Sequence, residues 1–155
     1  TTVDAPAWPA ASLTLADHWT NVIDRDGLRS RMGEVVLLAA RGAPRYRGEV
    51  EPIDPIAGHI PTAINAPTDG NLGSDGTFLP ADALRVRYGD LGAAGSAEVV
   101  ASCGSGVSAC HDVLAMRLAG LPAPLLYPGS WSDWSTAGYP IAIGAEPGDV
   151  PGQGR

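Results

Sequence analysis

The stretch of this chain best equipped for covalent chemistry is S-C-G-S-G-V-S-A-C, running from Ser102 to Cys110. Cys103 follows the apolar residues Val99, Val100 and Ala101 and precedes a run with helical spacing, so it is expected at a strand-to-helix junction. In open α/β sheets ligands bind at the carboxyl ends of strands, where such junctions lie. Gly104 and Gly106 permit torsions that turn successive N–H groups toward one point, and the helix starting near Val107 adds partial positive charge there. A thiol so placed is expected to react as its thiolate, with Ser105 and Ser108 as hydrogen-bond donors to it or to a bound anion. Read locally, the stretch also fits a small buried hydrophobe in a tight turn, which is how many free cysteines behave.

The elements needed to hold this loop can be read on either side of it. Asn21-Val22-Ile23 reads as a short strand, and Asp26 as the cap of a helix through Arg31. Glu34 to Ala40 is a continuous apolar run of strand length, as in a strand buried on both faces of a parallel sheet. A long Gly- and Pro-containing loop follows from Arg41 to Pro61, then a brief strand at Ala63-Ile64-Asn65. Pro80 to Tyr88 has Pro at its start and reads as a helix, followed by a strand over Glu98 to Ser102. In the helix Val107 to Leu118 the residues Val107, Cys110, Leu114 and Leu118 share an apolar face, which places Cys110 in the core. Leu125-Leu126-Tyr127 reads as the last strand, and Ser130 as the cap of a short helix beginning W-S-D-W. Strands alternating with helices predict an α/β fold with a central, mostly parallel sheet flanked by helices. The expected organisation is a linker or tail at 1–19, one domain at 20–142 and a flexible tail at 143–155.

Composition narrows the function. The 155 residues are 45% hydrophobic and 17% charged, which is globular. All ten basic residues are arginine, and a net charge of −7 argues against a nucleic-acid or anionic-membrane surface. No apolar run approaches membrane-spanning length, and the expected location is the cytoplasm. Two cysteines make no disulfide scaffold. Cys110 lies about two helical turns beyond Cys103, which disfavours a bond between them. No Cys/His spacing fits zinc.

Four ordered segments resemble the rhodanese superfamily, which contains the thiosulfate and 3-mercaptopyruvate sulfurtransferases. C-G-S-G-V-S-A from Cys103 is similar to the loop C-G-S-G-V-T-A of the mercaptopyruvate enzymes. R-G-A-P-R-Y-R-G from Arg41 is similar to the arginine-bearing loop after the second strand. G-H-I-P-T-A-I-N from Gly58 departs from G-H-I-P-G-A-x-N only at Thr62, and Y-P-G-S-W-S-D-W from Tyr127 departs from Y-D-G-S-W-x-E-W at Pro128 and Asp133. Together they span residues 20–142, and the closest analogy is to the C-terminal catalytic domain of tandem two-domain enzymes.

The resemblance implies transfer of sulfane sulfur from thiosulfate or 3-mercaptopyruvate to cyanide or a thiol through a persulfide on Cys103, with no metal or organic cofactor. Arg45 is the implied clamp for the anionic donor, holding it by two hydrogen bonds, and Gly104, Ser105, Gly106, Val107 and Ser108 are the implied substrate-binding loop. The resemblance also implies a second rhodanese-like domain or subunit, because the loop serine matching Ser105 works there with an Asp/His pair from the other domain. His59 belongs to a structural turn, and Trp131 and Trp134 brace the loop. Ala39 stands where the family carries Asp in D-x-R, which deprives Arg41 of a partner. Ile53 follows Glu51-Pro52 where mercaptopyruvate enzymes carry a second arginine, which tilts the expected preference toward thiosulfate. Two other readings fit less well. A phosphatase loop of the C-x5-R kind needs arginine where Ala109 stands. A non-catalytic rhodanese-like binding module often lacks the cysteine, which this chain retains.

Overall fold

The computed structural model of the chain describes residues 9–12, 14 and 19–152. The expected linker at 1–19 lies mostly outside them. Helix α1 spans Arg25–Ser30, and strand β1 spans Val36–Ala39. A one-turn helix α2 spans Ala43–Tyr46, and strand β2 is Ile64–Asn65. After a 3₁₀ turn at Thr68–Asn71 come α3 at Ala81–Asp90 and β3 at Val99–Ser102. Helix α4 at Val107–Leu118, β4 at Leu125–Leu126 and α5 at Ser130–Thr136 complete the order.

The four strands form one parallel sheet in the order β2-β1-β3-β4, with Val36 opposite Val99 and Ala39 opposite Ser102. The middle strands β1 and β3 are apolar up to Ser102, the last residue of β3, because both faces are covered. Leu37 and Val100 face a core holding Leu28, Tyr46, Trp131 and Trp134. Leu38 and Val99 face a second core with Leu84, Tyr88, Ala115 and Met116 from α3 and α4. Adjacent parallel strands end side by side. The segments leaving β1 and β3 therefore emerge together, although about 60 residues separate them in sequence.

Three local expectations need correction. Asp24, not Asp26, caps α1, its Oδ1 accepting from the amide of Gly27 at 2.8 Å. Val22 makes a single parallel bridge to Leu126 and not a strand. The larger difference concerns α4. Val107, Leu114 and Leu118 are exposed, and so is Cys110. The helix packs inward through Ala109, Asp112, Val113, Ala115 and Met116. Small residues let it approach the sheet closely, and a buried carboxylate interrupts the apolar pattern on that face.

The stretch expected as a C-terminal tail touches the body at several points. The carbonyls of Glu146 and Pro147 meet His59 Nε2 at 3.1 Å and the Thr62 amide at 2.6 Å. Val150 packs against the first core. Among the described residues no helix is long and apolar enough to cross a membrane.

Candidate active site

Where β3 ends, Ser102 ties the strand to its neighbour, its Oγ donating to the Leu38 carbonyl at 2.9 Å. Cys103 follows and is 4% exposed. Its amide donates to Ser130 Oγ at 2.9 Å, and Ser130 Oγ donates to the Tyr127 carbonyl at 2.8 Å. Ser130 thus does not cap its own helix as expected; it clamps the cysteine backbone to the end of β4. The amides of Trp131 and Ser132, at the start of α5, donate to the carbonyls of Cys103 and Gly104 at 3.0 and 2.9 Å. With the loop carbonyls engaged on that side, no acceptor among the described residues takes the amides of Gly104, Ser105 or Gly106. Those three donors, with the first turn of α4, suit a negative charge near the sulfur.

The two loop glycines serve different ends. Gly106 has φ +84°, and a Cβ there would lie 2.7 Å from the Pro128 carbonyl oxygen, so both torsion and space demand glycine. Gly104 has no such torsion. A side chain there would begin 3.8 Å from Arg45 Nη1, beneath the guanidinium.

Opposite the cysteine lies the loop that leaves β1. Asn65 holds it open, its amide nitrogen donating to the carbonyls of Ala39 at 3.1 Å and Arg41 at 2.7 Å. Arg41 is buried and stacks over Trp131, 5.1 Å from the ring centroid. It donates to the Gly58 carbonyl at 2.5 Å and to Glu51 Oε2. The absent Asp of D-x-R therefore leaves no deficit, because Glu51 supplies the carboxylate from further along. Burial lowers the Arg41 guanidinium from its ordinary value, while the charge of Glu51 opposes this.

Glu51 is shared. Its Oε1 accepts from Arg45 Nη2 at 2.5 Å and from the amides of Ile53 and Asp54 at 3.2 Å each. Burial works to raise Glu51, yet these hydrogen bonds and the charge of Arg41 hold it below the ordinary carboxylate value. Asp54 completes the group, with Oδ2 3.4 Å from Arg45 Nη2 and Oδ1 accepting from Ser132 Oγ at 2.6 Å.

A cavity of about 310 Å³ separates the two loops, with Cys103, Gly104, Ser105 and Ser108 on one side and Arg41, Arg45, Ile53 and Asp54 on the other. Of the sequence-derived site residues, Cys103, Arg45, Gly104, Ser105 and Ser108 meet there, whereas Gly106 and Val107 do not line it. Gly106 shapes the turn from behind, and Val107 faces outward, 76% exposed. Glu51, Asp54 and Ser132 were not picked out in the sequence. The spacing of Glu51 and Asp54 after Arg45 was their only signal, and it does not say which way an irregular loop folds back.

His59 sits away from this cavity, stacked on Tyr46 with ring centroids 3.8 Å apart, its Nδ1 2.8 Å from the Tyr46 carbonyl oxygen. Burial lowers its pKa, with the backbone contacts opposing. Trp131 and Trp134 are both buried, each indole N–H donating to a carbonyl, Ile56 at 3.0 Å and Pro140 at 2.9 Å. All three brace the fold around the site.

Comparison with known proteins agrees with this architecture. The family model described as a rhodanese-like domain matches residues 24–137. A probable 3-mercaptopyruvate sulfurtransferase of Pseudomonas aeruginosa is 46% identical over 156 residues, covering 89% of this chain and 55% of the relative. A putative thiosulfate sulfurtransferase, SseB, of Mycobacterium tuberculosis is 50% identical over 104 residues, covering 67% and 36%. Among solved structures, the Tum1 protein of Saccharomyces cerevisiae superposes with a TM-score of 0.68 at 27% identity, covering 79% of this chain and 46% of that one. The chain spans about half or less of the length of these relatives.

Proposed function

The chain belongs to the rhodanese-like domain family, and on that premise we propose that it transfers sulfane sulfur from a small anionic donor to a thiol or cyanide through Cys103. One observation carries the reading: Cys103 shares a cavity with Arg45 and lies beside three amides without a protein acceptor among the described residues. With thiosulfate as donor, the Cys103 thiolate attacks the outer sulfur. The S–S bond of the donor breaks, its electron pair leaves with sulfite, and Cys103 becomes a persulfide anion. A cyanide or thiolate then attacks the terminal sulfur, takes it, and returns the electron pair to Cys103. With 3-mercaptopyruvate the thiolate attacks the thiol sulfur, the carbon–sulfur bond breaks, its electron pair passes into the enolate of pyruvate, and a proton taken up at C3 gives pyruvate. The amides of Gly104, Ser105 and Gly106 suit both the thiolate and the persulfide, so charge need not be relocated between the half-reactions.

The test is mass spectrometry after incubation with thiosulfate or 3-mercaptopyruvate, followed by turnover with cyanide. The expected result is one added sulfur on Cys103, lost on adding cyanide. Cys103→Ser abolishes uptake with the fold intact. Cys110→Ser retains most of the activity, because Cys110 lies on the exposed side of α4 and outside the cavity. Sulfur transfer that survives Cys103→Ser would sink this mechanism.

A second rhodanese-like unit is part of the proposal. The exposed side chains of Val107, Leu114 and Leu118 make an apolar stripe along α4 that starts at the catalytic loop, and this supports a covering partner.

A further inference from the structure

The arrangement around Arg45 differs from that of an open anion clamp. Of its three nitrogens, Nη2 is engaged by Glu51 and approached by Asp54, and Nε is buried without a partner among the described residues. Nη1 also makes no hydrogen bond among the described residues, and of the two unpartnered nitrogens it is the one that is not buried. An incoming donor therefore meets one free nitrogen, where two hydrogen bonds were expected from the sequence. The charges balance as well. Arg41 and Arg45 are matched by Glu51 and Asp54, and the other polar side chains on the wall, Thr68, Ser105, Ser108 and Ser132, are neutral. Ile53 adds no cation.

The two acids are not equivalent. Glu51 is fastened by both arginines and two amides, and it stands behind Arg45 without lining the cavity. Asp54 lines the cavity, touches Arg45 at only 3.4 Å, and has a firmer hold on Ser132 at 2.6 Å. It can give up Nη2 while keeping Ser132.

We propose that Asp54 is a specificity-determining residue, an internal anion that competes with the donor for Arg45 and selects singly charged donors over doubly charged ones. The inference rests on the reading of Cys103 as the sulfur carrier. Thiosulfate brings two negative charges up to a four-residue cluster of no net charge, one of them against Asp54. The 3-mercaptopyruvate carboxylate brings one, and its reacting sulfur can sit on the Cys103 side, away from the acid. This reverses the preference for thiosulfate expected from Ile53 alone. Ser132 is a positioning residue that holds Asp54 off Arg45.

The experiment measures the second-order rate of sulfur loading on Cys103 from each donor in the parent, Asp54→Asn and Ser132→Ala. Asparagine keeps an oxygen for Ser132 and leaves the backbone bond to Glu51 in place, so the melting temperature should not move. For Asp54→Asn the expected rise is about tenfold with thiosulfate and about threefold or less with 3-mercaptopyruvate, since removing a nearby like charge favours the dianion more. Ser132→Ala frees Asp54 to close on Arg45 and should lower the thiosulfate rate by more than the 3-mercaptopyruvate rate. Opposite signs in the two variants are something a merely structural role would not produce. Equal rises with both donors, no change, or a loss in both variants would overturn the role of Asp54 while leaving sulfur transfer standing. A parent that takes up no sulfur from either donor would overturn the functional reading and this inference with it.

Discussion

Thr62 illustrates how a single side chain can record a constraint that it satisfies badly. It occupies the place where the resembling family motif has glycine, and its φ is +70°, in the left-handed region that β-branched residues avoid. Its Oγ1 is buried with no partner among the described residues. The conformation is imposed from outside, because the Thr62 amide must reach the Pro147 carbonyl at 2.6 Å while Ala63 enters the core. A non-glycine residue in that region costs roughly 1–2 kcal/mol, of which glycine's extra unfolded-state entropy takes back about 0.5–1. Removing the orphaned hydroxyl adds to the gain. Thr62→Gly is therefore expected to stabilise the domain by about 1 kcal/mol, raising the melting temperature by about 2–4 °C. A thermal melt of the variant at or below that of the parent would show that the strain is relieved in some other way. At this scale the sequence was most readable where a motif is local. The Cys103 loop declared itself because torsion, thiol and helix start are consecutive residues. Arg45 was legible too, but its two acidic partners were not, since a loop without periodicity gives no sign of which carboxylate folds back onto which guanidinium.

Among the elements, α4 carries the most consequence and was the most misread. Its boundaries were plain from Gly106 and Gly120, yet its inward face was not. Counting apolar residues selected Val107, Cys110, Leu114 and Leu118, while the packed face holds two alanines and Asp112, which hydropathy discounts. Asp112 Oδ1 accepts from Asn71 Nδ2 at 2.8 Å and from Tyr88 OH at 3.3 Å, and Oδ2 is buried without a partner among the described residues. Burial pushes its carboxyl up to about 6 from 3.8, against hydrogen bonds from Asn71 and Tyr88 and the charge of Arg87. A group that holds its proton more tightly when folded contributes its full stability below the unfolded value of 3.8 and loses it as pH rises through about 6. Asp112→Asn removes that dependence. The melting temperature of the variant minus that of the parent should grow more positive between about pH 4 and pH 7, by an amount equivalent to roughly 1–3 kcal/mol. A difference that stays flat across that range would mean that Asp112 is already relieved of its charge penalty, for instance by bound water.

At the scale of the whole molecule, α4 keeps an apolar stripe in water. Val107 and Leu114 leave apolar area in water along α4, and curated relatives extend well beyond this chain's share of them. If a second unit of the same family docks there, adding it to this chain should raise turnover and melting temperature together, because binding to the folded state alone stabilises by mass action. Titration calorimetry and a cyanide assay on the mixture of the two units would check both. Binding with no gain in either quantity would mark the contact as incidental, and the catalytic unit as this domain alone.

The pairing of Ala39 with Ser102 has a kinetic meaning. The arginine loop and the cysteine loop are brought together only when β1 and β3 align, and closing so long a loop is a slow, entropically costly step. A nascent or partly folded chain therefore has its thiol before it has the cavity. Until that alignment the sulfur is an ordinary cysteine, open to oxidation and without Arg45 to present a donor. If Cys103 carries sulfur as proposed, reactivity toward a sulfane donor and completion of the sheet should arrive as one event, and the rate of persulfide appearance during refolding would be a clock for the central strands.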